Sequence, residues 1–184
     1  RNAPALSSAA SGLRVDGSAA AGRGRVTWKA EYARQSDVGD NPAAVSADYW
    51  LLEAGYQAKV LGAAVGYEVL GGEAAAGPNR AFQTPLATLH AFQGWADKFL
   101  TTPPAGIEDR YVALRAQIGR LKAELLWHDF SAEATAADYG RELDLSLAWP
   151  LGPRYQLLAK YADYAADELF TGTRKAWLQF TAGF

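Results

Sequence analysis

The sequence predicts an all-β protein, an antiparallel up-and-down transmembrane β-barrel of about eight strands, or nine if residues 12–19 form one. Three observations predict it. Apolar and polar residues alternate with period two along most of the chain, which puts successive side chains on opposite faces of a strand. The links between alternating segments switch between short and long, so the tight turns fall at one end of the strand stack and the long loops at the other, as in outer-membrane barrels. Trp and Tyr stand toward the ends of the apolar faces, where a ring with a polar edge suits a membrane interface.

Taken in order, residues 1–11 read as a flexible tail. Over 12–19, Leu13 and Val15 alternate with Arg14 and Asp16, the weakest of the patterns. Val26, Trp28, Ala30 and Tyr32 then oppose Arg25, Thr27, Lys29 and Glu31. After a link at 37–45, Leu52, Ala54 and Tyr56 oppose Leu51, Glu53 and Gly55, and beyond a turn near 58–60, Ala63, Val65, Tyr67 and Val69 oppose Gly62, Gly66 and Glu68. A long loop at 72–107 is expected to fold into or over the barrel. Val112, Leu114, Ala116 and Ile118 then oppose Tyr111, Ala113, Arg115 and Gln117, and after Gly119, Leu121, Ala123, Leu125 and Trp127 oppose Lys122, Glu124, Leu126 and His128. A loop at 132–138 leads to Leu143, Leu145, Leu147 and Trp149 against Glu142, Asp144, Ser146 and Ala148. A Pro-flanked turn at 150–153 precedes Tyr155, Leu157, Ala159 and Tyr161 against Gln156, Leu158 and Lys160. Past 165–172, Ala176, Leu178, Phe180, Ala182 and Phe184 alternate with Lys175, Trp177, Gln179, Thr181 and Gly183. A strand of about 11 residues, tilted by about 40°, rises roughly 28 Å, close to the apolar band of about 25 Å that membrane barrels present. One domain is expected, with no linker or internal repeat.

Composition narrows the function classes. The chain has 184 residues, and its 18 Lys and Arg against 20 Asp and Glu form no basic tract, so no nucleic-acid footprint is present. No window approaches the roughly 20 apolar residues of a membrane helix. Cysteine is absent and His numbers only 2, which removes disulfides, thiol nucleophiles and Cys-based metal sites. No cofactor and no metal are expected. The chain starts at Arg1 without Met or a signal peptide and reads as a processed mature chain or a piece of something longer.

Segments 30–37 (AEYARQSD), 66–72 (GYEVLGG) and 155–164 (YQLLAKYADY), and above all 81–111 (AFQTPLATLHAFQGWADKFLTTPPAGIEDRY), resemble the alginate-export family of Gram-negative outer-membrane barrels, porin-like members included. The resemblance covers about residues 12–184. It implies a non-enzymatic channel in the outer membrane for passive passage of a saccharide or other small hydrophilic solute. The implied partners are outer-membrane lipid, lipopolysaccharide and the barrel assembly machinery, which would read the C-terminal Phe184. Family members have about twice as many strands, so the chain corresponds to the C-terminal half, and two copies could build one larger barrel. Eight strands alone would leave an interior only just filled by side chains, a closed barrel with a structural role and no transport. A soluble ligand-binding barrel has the same period. The lining departs from what a polyanion exporter needs, a single sign of charge: anions match cations along the polar face, and alginate itself is not inferred.

The predicted lining and selectivity residues are Arg25, Lys29, Glu31, Arg115, Lys122, Glu124, Glu142, Asp144, Lys160 and Lys175. In the long loop, Leu86, Leu89, Trp95 and Phe99 recur at roughly helical intervals behind Thr84 and Pro85, a capping pattern that predicts a short helix. That segment reads as a constriction carrying His90, Gln93, Asp97 and Lys98, as a cover over the barrel rim, or as an extra strand. Glu124, Glu142 and Asp144 near Arg115, Lys122 and Lys160 suit interior ion pairing better than acid/base catalysis, with a transverse field sorting solutes as the remaining reading. His128 with Asp129 and Ser131 is a faint hydrolase signal. Asp37, Asp40 and Asp48, or Asp163, Asp167 and Glu168, are solvated loop acids or weak Ca²⁺ ligands.

Overall fold

The computed structural model describes residues 7–85 and 93–183. It contains nine strands: β1 (Ser8–Ala21), β2 (Gly24–Asp37), β3 (Ser46–Gln57), β4 (Leu61–Leu70), β5 (Ile107–Ile118), β6 (Leu121–Ser131), β7 (Asp138–Pro150), β8 (Tyr155–Ala166) and β9 (Thr173–Ala182). They form one sheet in which every strand pairs antiparallel with its neighbours in sequence. There is no helix among the described residues. The weak segment at 12–19 is a full strand, so of the two expected counts nine holds. One boundary is corrected. Residues 8–11, expected in a flexible tail, lie inside that strand, because Ser8 through Ser11 continue the ladder with Asp37 through Arg34.

The short links, 22–23, 58–60, 119–120 and 151–154, all fall at one end of the sheet, and the long links, 38–45, 71–106, 132–137 and 167–172, at the other. Gly22 and Gly119 begin two of the tightest turns with φ of 58° and 61°, a left-handed backbone that glycine adopts without steric cost. β1 and β9 are the edges of the sheet, which is open. On β7 the pairing with β6 shifts register next to Phe130 and Ser131. Gly140 makes that bulge: its φ is 110°, and an added Cβ would lie 2.2 Å from the carbonyl oxygen of Ala165.

The two faces differ as the alternation predicts. One face is bare and apolar on strand after strand, with Leu13, Trp28, Leu52, Val65, Leu114, Trp127, Leu145 and Leu178 all exposed, Leu52 to 55% and Leu178 to 75%. Aromatic rings mark its borders: Tyr56, Trp149, Tyr155 and Phe180 at the short-turn end, Tyr32, Trp50, Tyr67, Trp127 and Tyr161 in the long-loop half. The other face is polar and carries the β4–β5 loop. Phe82, Trp95, Ala96 and Phe99 of that loop form a buried cluster with Leu70, Ile107, Phe130, Tyr139, Ala162 and Tyr164 near the long-loop end. Phe99 is its hub, with ring centroids 4.7 Å from Phe130 and 5.9 Å from Tyr139.

Candidate functional site

The polar face gathers the ionisable residues that the period-two pattern assigned to it. In the short-turn half none of the loop's described residues is bonded to it, and its charges meet across strands, as directly opposed residues of a ladder do. Lys29 Nζ on β2 lies 3.5 Å from Glu53 on β3, and the Tyr111 hydroxyl on β5 donates to the same Glu53 at 2.6 Å. Arg115 Nε donates to Glu124 at 2.7 Å between β5 and β6. Glu31 is 3.8 Å from Arg14, and Arg25 donates to the hydroxyl of Ser18 at 2.6 Å. Lys122 sits at the short-turn end, level with Gln117 and Ala148. A residue of the bare face never enters these pairs.

The long-loop half is organised by buried carboxylates. Glu68, Asp109, Glu142 and Asp144 are all buried, Asp109 to 1% exposure and Asp144 to 0%. Charges so placed need partners, because desolvation costs several kcal/mol per ion. Asp109 meets Nδ1 of His128 at 2.9 Å, whose ring stacks on Phe130 at 5.3 Å. Asp144 is 3.8 Å from Nε2 of the same His128. Glu68 receives the Tyr49 hydroxyl at 2.6 Å and Nε2 of Gln93 at 2.8 Å. Glu142 Oε1 accepts the backbone N–H groups of Trp95 and Ala96 at 2.5 and 2.6 Å, and Trp95 N–H also reaches Asp144 at 3.2 Å.

The loop is therefore joined to the sheet by named contacts. Lys175 on β9 donates to Asp97 at 2.8 Å, the Lys160 ammonium lies 3.9 Å from the centre of the Trp95 ring, and Lys98 lies 5.5 Å from that of Tyr164. At the loop's base, Gln35 of β2 and Gln83 exchange two hydrogen bonds at 2.9 and 2.8 Å. Gln83 in turn ties to the backbone of Thr102 in both directions. Gln93, Asp97 and Lys98 thus touch the sheet, while His90 lies outside the described residues, as do Leu86, Leu89 and the C-terminal Phe184.

The expected helix is not formed over 93–100, a correction with a clear cause. Gln93, Gly94 and Asp97 have φ of 47°, 80° and 58°, outside the helical region, and the N–H groups of Trp95 and Ala96 bond to a carboxylate in place of a helical carbonyl. The faint hydrolase signal does not assemble either: His128 faces Asp109 on the loop-bearing face, and Asp129 takes Arg141 at 3.2 Å. Three of the acids expected in loops stand in strands instead and have local work: Asp37 at the end of β2 accepts from Val45 N–H at 2.9 Å, Asp48 in β3 from Tyr32 at 2.9 Å and Asp163 in β8 from Arg174 at 3.0 Å. Among the described residues no cluster of His, Asp or Glu is arranged to hold a metal ion.

Sequence reasoning missed Asp109, Gln35 and Gln83. Asp109 was legible as the residue two before Tyr111 on the same face. The Gln pair was not, since its partners are 48 residues apart. Compared with protein-family models, curated proteins and solved structures, the chain matches none.

Proposed function

We propose that this chain is wall and constriction of a porin-like channel in the Gram-negative outer membrane, passing a saccharide or other small hydrophilic solute without catalysis. The observation that carries the reading is the bare apolar face, bordered by rings on both sides and opposed by a charged face. A water-soluble protein would cover such a surface, since large contiguous apolar patches are rare on soluble monomers, whereas lipid covers it at no cost. Closure of the sheet into a ring belongs to this proposal, because an open edge leaves backbone groups unpaired in hydrocarbon. The likeness of residues 81–111 to a loop of alginate-export barrels agrees with it, and lipid and lipopolysaccharide are the surroundings it requires.

The charged short-turn half is the solute path in this reading, with Arg25, Lys29, Glu31, Arg115, Lys122 and Glu124 along it. Folded protein added to a planar bilayer should give discrete conductance steps, and vesicles carrying it should swell in neutral sugars. Folded, inserted protein that gives neither current nor swelling would sink the channel. The second reading is then a structural barrel with no transport, which the dry aromatic packing of Phe99 on Phe130, Tyr139 and Tyr164 favours.

A further inference from the structure

Residues 93–99 form a strap across the polar face, touching β4 through Gln93 and Glu68, β7 through Glu142, and β9 through Asp97 and Lys175. Its central contact is the least replaceable. Glu142 Oε1 lies between two consecutive N–H groups, at 2.5 and 2.6 Å. A charged acceptor makes such bonds stronger than neutral ones. Glycine at 94 gives the approach its room: a Cβ there would stand 2.5 Å from Glu142 Oε2 and push the carboxylate aside, and its φ of 80° is one that side-chain-bearing residues rarely adopt. Three positive-φ residues lie within five positions of the strap, conformations that persist where surrounding contacts over-determine them. The Gly140 bulge sits two residues before Glu142 and resets which side chains of β7 face the loop: Tyr139 and Glu142, of opposite parity, are both buried against it.

We infer that Glu142 is the positioning residue of the constriction: its carboxylate, seated in the backbone turn at Gly94–Ala96, holds the strap against the wall and so fixes the bore. The consequence for the bore rests on the channel reading; the seating itself does not. Glu142→Ala removes the acceptor of both bonds and lets the strap leave the wall. Glu142→Gln keeps one oxygen in place and retains much of the seating. Gly94→Ala unseats the strap from the loop side without touching a strand, so a folding defect in the wall cannot imitate its effect.

The chain has no cysteine, so Ala96→Cys introduces a single thiol at a position 2% exposed. Maleimide labelling of the full, detergent-folded chain carrying Ala96→Cys reads the seating directly, and folding is checked by heat-modifiable gel mobility. Labelling is expected at least about tenfold faster with Glu142→Ala or Gly94→Ala, given the two charge-assisted hydrogen bonds lost. It should be little changed with Glu142→Gln and unchanged with Asp163→Ala, which pairs with Arg174 on the face away from the strap. In bilayers the first two variants should show larger and noisier steps. Unchanged labelling in folded Glu142→Ala and Gly94→Ala overturns the inference. Faster labelling with unaltered conductance overturns the link to the bore. Faster labelling in a protein that never conducts leaves Glu142 as the strap's anchor and overturns the channel.

Discussion

At the scale of single residues, the polar face depends on close approaches that admit no spare atom. Gly66 lies beneath the Tyr111 ring, and a Cβ there would come within 2.1 Å of it. The ring in turn aims its hydroxyl at Glu53. Gly66→Ala should therefore cost about 1–3 kcal/mol, the usual range for overpacking, in urea unfolding from lipid vesicles. Tyr111→Phe, which keeps the ring, should cost about 1 kcal/mol for the lost hydrogen bond. If Gly66→Ala is neutral, the ring does not rest there. His128 is a harsher case: His128→Ala strands Asp109 at 1% exposure, and removing one partner of a buried pair costs about 3–5 kcal/mol. The same titration reads it, and Asp109→Asn in the same chain should recover part of the loss by removing the stranded charge. Alternation alone placed Lys29, Arg115 and Glu124 on their face, because ladder neighbours are fixed by register. It could not pair Gln35 with Gln83, since a contact that bridges sheet and loop depends on where the loop lies, and no local period encodes that.

At the scale of elements, every strand was legible and the loop was not. Strands repeat one rule whose physical cause, opposite faces meeting unlike surroundings, is written every second residue. β1 read weakly because small residues, Ala, Gly and Ser, dominate it, with Leu13 and Val15 as its only larger apolar residues. The strap was misread as helical because Trp95 and Phe99 fall four residues apart. Burial against Phe130 and Tyr164, together with the Glu142 seat, imposes that spacing without a helix. The proposed lipid-facing role of the bare face makes an element-level prediction. Leu145→Arg should lower the free energy of folding into vesicles by about 2–4 kcal/mol near the bilayer midplane. Gln117→Arg, on the opposite face and exposed, should stay within about 0.5 kcal/mol. Equal penalties for the two would mean that lipid does not cover that face.

At the scale of the whole molecule, charge is distributed to cancel. Lys29 with Glu53, Arg115 with Glu124 and Lys175 with Asp97 are each neutral together, and single-sign linings are what give pores strong ion selectivity. A channel built on this face should therefore show a reversal potential close to zero in a KCl gradient, and should pass neutral sugars at least as well as uronates of the same size. A strongly anion-selective current would contradict that balance. The fold class followed from the sequence because a single sheet with two unlike faces is a global property repeated locally, whereas the site is a meeting of distant segments.

The strand number has a consequence of its own. Nine strands that reverse direction at each step begin and finish on the same heading, so β1 and β9 both run from the long-loop end toward the short turns. A ring closed by laying these two edges together carries one parallel seam, whose hydrogen bonds slant and pair slightly less strongly than those of the rest of the wall. A ring with no such seam needs an odd number of additional strands between the two edges. Parity thus makes the junction of β1 and β9 unlike every other in the wall, and it is where a ring closed on itself would open first.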